Sequence, residues 1–272
     1  MSPLPRISII TPSLNQSRYI ERTIRSVVTQ DYPDLEYLVV DGGSSDGTVE
    51  LLKQYGSRIR WISEKDRGQS HAVNKGLALA TGEVCGFLNA DDLYEPGALR
   101  RVGEFFSARP EAMWLTGRCR IIDSSDREIR KSITAYKNFW LRRGTYETLL
   151  VLNYVSQPAT FWRRRVMAEM GFLNEKLYYG MDYDYWLRIG KKYRLGTVPQ
   201  YLACFRVHSS SKTGTTATRQ FEELWDIVQH HCTSRILLGL HQLHRLAETT
   251  VYRLMLDRER KHIGKSIEGE GG

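Results

Sequence analysis

Short apolar runs alternate with amphipathic segments along the first 110 residues. The apolar runs predict strands at residues 7–11, 37–40, 59–63 and 84–88. Apolar side chains at helical spacing predict helices at residues 19–29, 48–55 and 69–80, and another after Pro96. Because strands that alternate with helices form parallel sheets covered on both faces, we expect an α/β fold with a mostly parallel central sheet.

The alternation becomes irregular beyond Trp114. Short runs predict strands of a mixed sheet at residues 114–116, 159–161 and 202–205, with helices at 163–170 and 182–192. Residues 209–218 are rich in Ser, Thr and Gly and predict a loop, and the Gly-rich end at 268–272 is expected to be disordered. We therefore expect one main domain over residues 1–212, with halves at 1–110 and 111–212, followed by a helical extension over 213–272.

Composition narrows the classes of partner. The chain has 272 residues and a formal net charge of +8, which favours polyanions such as nucleotide diphosphates, anionic lipids or nucleic acid. No zinc, helix-turn-helix or RNP pattern accompanies the charge, so nucleic-acid binding is not expected. Four scattered cysteines predict reduced thiols in the cytoplasm, and we expect neither a signal peptide nor a membrane-spanning segment.

Two acidic segments follow predicted strands, where open α/β sheets bind ligands. Residues 89–92 read NADD, and adjacent acids suit a divalent cation that keeps positions free for substrate phosphates. The alternative is a pair of acids that caps a turn. Residues 41–48 read DGGSSDGT; Asp41 could accept hydrogen bonds from a base or a ribose, whereas Asp46 is expected to cap the next helix. A Rossmann G-x-G-x-x-G is absent after the first strand.

The order of these motifs resembles family 2 of the glycosyltransferases, of the bacterial polysaccharide type. The motifs are TPSLN at 11–15, DGGSSDGT at 41–48, DRGQS at 66–70, NKG at 74–76, and GE at 82–83 leading to NADD at 89–92. The resemblance is dense over residues 7–100 and sparse to about 212. It implies a GT-A fold, the Rossmann-like fold of nucleotide-diphospho-sugar transferases.

The resemblance also implies roles for individual residues. It assigns nucleotide binding to Thr11, Pro12, Ser13, Asn15, Asp41, Asp66, Lys75, Asn89 and Ala90, with Asp41 facing uracil. Asp91 is the implied ligand of a divalent metal, Mg²⁺ or Mn²⁺, and Asp92 and His208 are further candidate ligands. Asn89 replaces the usual first Asp of the metal motif, which removes one charge. For His208, within RVHSSS at 206–211, a purely structural role remains open.

Residues 181–186 read MDYDYW and resemble the family's E-D segment, in which the second acid is the catalytic base. This implies Asp182 as the base, although Met181 replaces the usual Glu. Asp184 is expected to be a surface or capping acid. Gln157 and Trp162 are candidates for acceptor binding, with core packing as the alternative for the Trp. The arginines at 142–143 and 163–165 could attract an anionic acceptor or form a solvated helix face.

The implied reaction is inverting transfer of a sugar from a nucleotide-diphosphate sugar, expected to be UDP-linked, to a hydroxyl of a glycan or lipid-linked glycan. Its expected setting is the synthesis of a cell-surface polysaccharide such as lipopolysaccharide. Two alternatives stay open. One is a sugar nucleotidyltransferase, although the Gly-rich, Arg-containing loop expected after its first strand is absent. The other is a non-catalytic partner subunit that binds a nucleotide sugar.

The segment after Thr233 has apolar residues at spacings of three and four together with several arginines, and it predicts a basic amphipathic helix. Such a helix could lie on the inner face of the cytoplasmic membrane, where lipid-linked acceptors reside. It could instead pack on the catalytic domain or on a second copy of the chain in a homo-oligomer. The sequence does not choose between these.

Overall fold

The computed structural model describes residues 3–209 and 217–268. Its strands are β1 (Ile7–Ser13), β2 (Leu35–Asp41), β3 (Arg60–Ser63), β4 (Val84–Phe87), β5 (Leu93–Tyr94), β6 (Trp114–Ile122), β7 (Glu128–Ile129), β8 (Thr160–Arg163) and β9 (Gly196–Arg206). Its α-helices are α1 (Ile20–Val28), α2 (Thr48–Gln54), α3 (Gln69–Leu79), α4 (Ala98–Ala108), α5 (Lys131–Arg143), α6 (Tyr146–Val151), α7 (Arg165–Met170), α8 (Met181–Gly190), α9 (Ala217–His231) and α10 (Arg235–Glu268). The loop expected at 209–218 and the tail expected at 268–272 lie almost entirely outside the described residues.

One sheet runs through the described part of the chain in the order β3-β2-β1-β4-β8-β6-β9-β5, with β7 paired to β6. Strands β1 to β4 are mutually parallel, which confirms the prediction for the first half of the chain. The second half is mixed because β8 runs antiparallel to both β4 and β6, while β6 and β9 are parallel. The α/β fold class is therefore confirmed.

Helices cover both faces of this sheet. Successive residues of β1 point to opposite faces, so Ile9 packs in the cluster beneath α1 and α4 whereas Ile10 packs in the cluster beneath α3 and α8. Gly76 of α3 lies directly over Ile10, where an added Cβ would overlap the isoleucine side chain. This close approach lets α3 pack directly on the sheet. Because α3 follows the carboxyl end of β3 in the chain, its N-terminus lies toward the carboxyl ends of the strands.

The two C-terminal helices pack on the rest of the protein. Val228 of α9 and Cys232, directly after this helix, are buried in the same cluster as the aromatic residues of α8. His241 of α10 is buried, and its Nδ1 lies 3.0 Å from the carbonyl oxygen of Leu150. The chain division near residue 212 stays a prediction. None of the helices described is both long and apolar enough to cross a membrane.

Candidate active site

The carboxyl ends of β1, β2 and β3 meet at one edge of the sheet. Ser13 pairs with Asp41, and Asp41 pairs with Ser63. The hydrogen bond from Gly42 N to Ser13 O is 2.8 Å, and that from Glu64 N to Asp41 O is 3.0 Å. This edge is where an open α/β sheet binds its ligand, as the sequence predicted for these strand ends.

Residues of β1 approach the edge with their side chains turned inward. Thr11 and Pro12 are buried, and Thr11 Oγ1 lies 3.0 Å from the hydroxyl of Tyr37. Ser13 is also buried, and its hydroxyl has no hydrogen-bond partner among the residues that the structure describes. Any contact of Thr11 or Pro12 with a nucleotide therefore has to use the backbone.

The carboxylate of Asp41 organises the loop that follows β2. It accepts hydrogen bonds from Gly43 N at 3.0 Å, Ser44 N at 2.9 Å, Ser44 Oγ at 2.5 Å and Ser63 Oγ at 2.7 Å. These four bonds use about as many sites as a carboxylate offers. The predicted contact of Asp41 with uracil thus requires one of the loop hydrogen bonds to be exchanged for the base.

Two loops are joined in front of this edge. Asn15 has a left-handed backbone with φ of 52°, and its Oδ1 accepts a 2.9 Å hydrogen bond from Ser45 N. Asp46 accepts from Ser17 N at 2.9 Å and from Thr48 N at 3.1 Å. Partial burial opposes ionisation of Asp46, but the hydrogen bonds from Thr48 and Ser17 outweigh it and lower its pKa to about 2. Asp46 therefore bonds the first residue of α2 and anchors the β1 loop, but the N-cap position predicted for it belongs to Gly47.

Asp66 and Lys75 lie beside the same loops. Asp66 Oδ1 accepts a 2.7 Å hydrogen bond from Gly68 N, and its Oδ2 would lie 2.5 Å from a Cβ added to Gly42. Only glycine at position 42 thus leaves room for Asp66. Lys75 Nζ forms a 2.7 Å ion pair with Glu64. Both residues are grouped with Asp41, consistent with the pocket that the sequence predicted.

Asn89 is the centre of a side-chain amide network. Its Oδ1 accepts from Gln69 Nε2 at 2.6 Å, and its Nδ2 donates to Gln157 Oε1 and Asp92 Oδ2, both at 3.1 Å. Gln157 Nε2 donates in turn to the carbonyl oxygen of Phe87 at 2.5 Å. Gln157, predicted to bind the acceptor, is therefore buried behind the metal motif and holds Asn89 in place.

Asp91 and Asp92 occupy different environments. The Asp91 side chain is 18% exposed, and its Oδ2 lies 3.0 Å from His208 Nε2. Asp92 is 0% exposed and accepts from Arg206 N at 2.8 Å as well as from Asn89. Burial, followed by repulsion from Asp91, raises the pKa of Asp92 well above its usual range. Of these two aspartates, both predicted as metal ligands together with His208, only Asp91 faces the open side of the site.

The end of β9 supports this acidic loop. Arg206 is fully buried; its Nε donates to the carbonyl oxygen of Asp91 at 2.6 Å, and its guanidinium lies over the ring of Tyr19 at 5.1 Å. His208 also contacts Tyr19, with ring centroids 4.7 Å apart. The carbonyl oxygens of Ala90 and Asp92 accept from Thr23 Oγ1 at 2.8 and 2.9 Å. Sequence reasoning missed Thr23 and Tyr19 because nothing in α1 distinguishes them from ordinary core residues.

Asp91 and His208 supply one carboxylate oxygen and one imidazole nitrogen to a possible cation. Within the described residues, no group of three or more His, Cys, Asp or Glu side chains is arranged to hold a metal ion. Mg²⁺ and similar ions are commonly held by one or two carboxylates together with substrate phosphates. The pair therefore fits a cation that is shared with a diphosphate better than a metal bound by protein alone.

Asp182 is the second residue of α8 and is partly exposed. Its Oδ1 accepts a 2.8 Å hydrogen bond from Tyr183 N. Burial raises the pKa of Asp182, while the Tyr183 N–H and the charge of Lys137 on α5 act in the opposite direction. A carboxyl group with a raised pKa is suited to general-base catalysis because its pKa lies nearer the working pH.

Asp184 and Trp162 differ from what the sequence suggested. Asp184 is not a surface or capping acid: it is buried, lies 2.9 Å from His231 Nε2, and accepts a 2.9 Å bond from Arg188 Nε. Trp162 is 0% exposed and packs edge-on against Tyr185 and Trp186. Its ring has no free face for a sugar, so the packing alternative holds and the predicted acceptor role is wrong.

Comparison with known proteins identifies the family. The model of Glycosyl transferase family 2 matches residues 8–171, so the chain belongs to this family. An uncharacterised glycosyltransferase of Nostoc is 37% identical over 133 residues, which are 47% of this chain and 41% of the relative. A PGL/p-HBAD biosynthesis glycosyltransferase of Mycobacterium tuberculosis is 30% identical over 190 residues, which are 68% of this chain and 69% of the relative.

Solved structures share the fold. TarS 1–349 of S. aureus, determined in complex with UDP-GlcNAc, superimposes with a TM-score of 0.66 at 17% identity, covering 83% of this chain and 66% of that one. The mannosyltransferase PcManGT of Pyrobaculum calidifontis, determined with GDP-Man and Mn²⁺, gives a TM-score of 0.64 at 19% identity, covering 92% and 76%. The chain thus belongs to glycosyltransferase family 2 and has a GT-A-like fold.

Proposed function

We propose that the protein is an inverting glycosyltransferase that moves a sugar from a UDP-sugar to a hydroxyl of a glycan or lipid-linked glycan. One observation carries this proposal. The first turn of α3 contacts both candidate centres, because Gln69 bonds Asn89 in the metal motif and Ser70 Oγ lies 2.7 Å from the sulfur of Met181, next to Asp182. These contacts support the proposal because α3 links the segment of the candidate metal ligand to the segment of the candidate base.

In the proposed reaction, Asp182 takes the proton of the acceptor hydroxyl as its oxygen attacks the anomeric carbon. The bond to the departing diphosphate breaks in the same step, so the anomeric centre is inverted and no enzyme nucleophile is needed. Asp91 and His208 are the residues that would hold a divalent cation, Mg²⁺ or Mn²⁺. When bound, such a cation would neutralise charge on the leaving diphosphate. Arg206 keeps the Asp91 loop in position through its bond to the Asp91 carbonyl.

The proposed location is the cytoplasmic face of a membrane, with an anionic lipid surface as the partner of α10. Five large apolar side chains of this helix are exposed: Ile236, Leu240, Leu243, Leu246 and Val251. Exposed Tyr136 of α5 lies beside α10, since it stacks on His244, and Arg143 lies 4.5 Å from the ring centre of exposed Phe139 on the same α5 helix. Apolar residues beside arginines favour an anionic membrane over a second copy of this basic chain.

A panel of nucleotide sugars tests the donor proposal. Thermal unfolding is measured with UDP-glucose, UDP-galactose, UDP-GlcNAc or GDP-mannose, each with and without MnCl₂. A ligand at 100 times its Kd stabilises the fold by about 2.7 kcal/mol, so a UDP-sugar should raise Tm by several degrees when metal is present. Stabilisation by none of them would contradict the proposal.

The products released from these nucleotides distinguish a glycosyltransferase from the two alternatives, a sugar nucleotidyltransferase and a non-catalytic subunit. A glycosyltransferase slowly releases UDP from its donor when water replaces the acceptor. A sugar nucleotidyltransferase would instead release pyrophosphate from UTP and a sugar 1-phosphate. A non-catalytic partner subunit would bind the donor without releasing UDP, even over long incubation with candidate acceptors.

A further inference from the structure

The segment before α8 is held by a carboxylate from α9. The backbone N–H groups of Tyr178, Tyr179 and Gly180 all donate to Glu223, at 2.9, 2.6 and 2.6 Å. Three successive amides that converge on one anion form a strong, directional anion site. Here the anion is part of the protein, and the segment that it fixes ends two residues before Asp182.

Apolar packing holds Glu223 at this place. A Cβ added to Gly180 would lie 2.5 Å from Ile227 Cδ1 and 2.9 Å from Leu224 Cδ2. Glycine at 180 thus allows α9 to lie directly against the backbone where α8 begins. Because Ile227 is buried, the position of Glu223 is set by the core and not by a mobile surface contact.

The chain has an apolar residue where the family's E-D segment has an acid, since Met181 precedes Asp182. Met181 is buried, and its sulfur contacts Ser70. A negative charge close to the N-terminus of a helix is favourable, because the first N–H groups of a helix point toward it. Asp182 and Asp184 already lie in the first turn of α8, and Glu223 adds a further negative charge from another helix.

We propose that Glu223 is a positioning residue for Asp182, which fixes the start of α8 and supplies the acidic group that position 181 lacks. This inference rests on the proposed function, in which Asp182 is the base. It makes α9 part of the catalytic architecture, although the sequence resemblance to the family gives no role to the segment after residue 212.

The charges around Asp182 give the proposal a measurable signature. Lys137 of α5 and Glu223 of α9 both act on Asp182; the lysine lowers the pKa of Asp182 and the glutamate raises it, in addition to the larger effect of burial. The base works in its ionised form, so activity rises with pH through its pKa. Removing the charge of Glu223 should therefore shift this rise to lower pH.

Glu223→Gln and Glu223→Ala separate charge from position. Glutamine can still accept from Tyr179 and Gly180 through one oxygen, so we expect near-normal turnover with the acidic limb of the pH profile shifted to lower pH. Alanine loses all three bonds. We expect it to lower kcat by about 10-fold with KM for the donor unchanged, because a small displacement of a base is costly.

His231→Gln is the matched control. This variant breaks the contact between His231 of α9 and Asp184 of α8. His231 lies one helical turn after Ile227 and two turns after Glu223, so the bonds of Glu223 are left in place. If the link between the helices were only structural, all three variants would change Tm alike and leave the pH profile unchanged. That result would overturn the proposal.

The assay is UDP release from UDP-GlcNAc, or from whichever UDP-sugar of the panel is hydrolysed fastest, between pH 4 and 8. Asp182→Asn is measured beside it. If Asp182→Asn is inactive while both Glu223 variants keep the wild-type kcat and pH profile, the positioning role is wrong and the proposed function stands. If Asp182→Asn keeps its activity, the base assignment fails and the role of Glu223 falls with it.

Discussion

Asp91 and Asp92 are adjacent in the chain, but their carboxylates face opposite sides of the loop. Asp91 reaches the open side beside His208, and Asp92 is enclosed with Arg206 and Asn89. Asp91→Asn should therefore lower metal-dependent affinity for UDP by at least about 10-fold, the scale expected for a lost metal interaction, with little change in stability. Isothermal titration of UDP with MnCl₂ measures this.

Asp92→Asn should lower stability and leave UDP affinity unchanged, the opposite of the result expected for Asp91→Asn. Both partners of Asp92 are donors, so the amide nitrogen of asparagine would face another N–H and leave it unsatisfied. We expect a loss of about 1–3 kcal/mol in the free energy of unfolding, with UDP affinity retained below the lowered Tm. Equal loss of UDP affinity in both variants would mean that Asp92 also turns toward the metal.

Asp182→Asn should keep nucleotide affinity and lower turnover by about 100-fold, the usual scale for a general base. The amide fills the same space but cannot take a proton. UDP affinity from titration and UDP release from a donor, measured on one preparation, separate binding from chemistry. Turnover within a few-fold of the wild type would mean that another residue is the base. Asp184 is a poor candidate because its carboxylate already contacts His231 and Arg188.

The residue types in the motifs were enough to predict which side chains belong to the site, but not how each side chain is buried. Asp41, Asp66, Asn89 and Asp91 were predicted to lie together, because they follow parallel strands whose ends share an edge. The sequence could not predict which of the candidate site residues are buried. Nothing in the run at 160–163 indicates that Trp162 is enclosed by Trp186 and Tyr185, since those residues are brought there by α8.

The contact between α8 and α9 includes a buried carboxylate, that of Asp184, whose stabilising effect depends on pH. Burial opposes ionisation of Asp184, but His231 and Arg188 outweigh it and lower the pKa of Asp184 below its ordinary value of 3.8. A carboxylate whose pKa is lower in the folded chain stabilises the fold above the unfolded value, and this stabilisation is lost as pH falls through the folded value. Acid should therefore release α9.

Asp184→Asn tests this pair. Breaking a buried pair costs about 3–5 kcal/mol, so at pH 7 the variant should unfold at clearly lower urea concentration. The difference from the wild type should shrink as pH falls below about 4, where the wild-type carboxyl also becomes protonated. Urea unfolding at pH 7, 5 and 3.5 measures it, and a difference that does not change with pH would mean that packing, not charge, is lost.

The exposed stripe of α10 gives the membrane proposal a direct test. Leu240→Gln with Leu243→Gln should reduce cosedimentation with phosphatidylglycerol vesicles while leaving Tm unchanged, since both leucines are exposed. Leu79→Gln, on an exposed leucine of α3, is the matched control. Each basic residue near the anionic membrane surface contributes on the order of 1 kcal/mol to binding. Because salt screens this attraction, the remaining binding should weaken as the salt concentration rises.

Truncation at Thr233 would be a poorer experiment, because it also removes buried His241 from its contact with Leu150. If the double leucine variant pellets with vesicles as well as the wild type, the membrane proposal is wrong. If the wild type is a dimer and the double variant a monomer, the partner of the stripe is a second copy. The sequence predicted this helix from its spacing, but it could not show that Leu237 and Leu238 face the protein while Leu240 faces outward.

At the scale of the whole molecule, the two expected halves of the catalytic domain share one sheet. β4 of the first half pairs with β8 of the second, and β5 pairs with β9. The parallel half could be predicted because strands and helices alternate there in sequence. The mixed sheet, three strands and two helices of the second half were predicted as well, but its strand order was not, since β8 inserts between β4 and β6 over a large separation in the chain, and α5 and α6 left no clear pattern.

Arg163 also joins the two halves, and it is neither a solvated residue nor free to bind an acceptor. It lies on β8 with a side chain that is 6% exposed, donates to the carbonyl oxygens of Phe106 and Ala112 at 2.9 Å, and pairs with Glu83. The shared sheet and this buried arginine predict that the halves unfold together. Arg163→Met leaves the carbonyl groups and Glu83 without their partner, so we expect a loss of about 3 kcal/mol or more.

Two probes measure whether the loss is cooperative. In Trp61→Phe, which removes the tryptophan of β3, fluorescence reports on the second half and on α9, where the five remaining tryptophans lie: Trp114, Trp140, Trp162, Trp186 and Trp225. Far-UV circular dichroism reports on the whole chain. We expect the two urea curves of this variant to coincide, and Arg163→Met to shift both midpoints together. If the fluorescence midpoint alone moved, the shared sheet would not couple the halves, and each would unfold as its own unit.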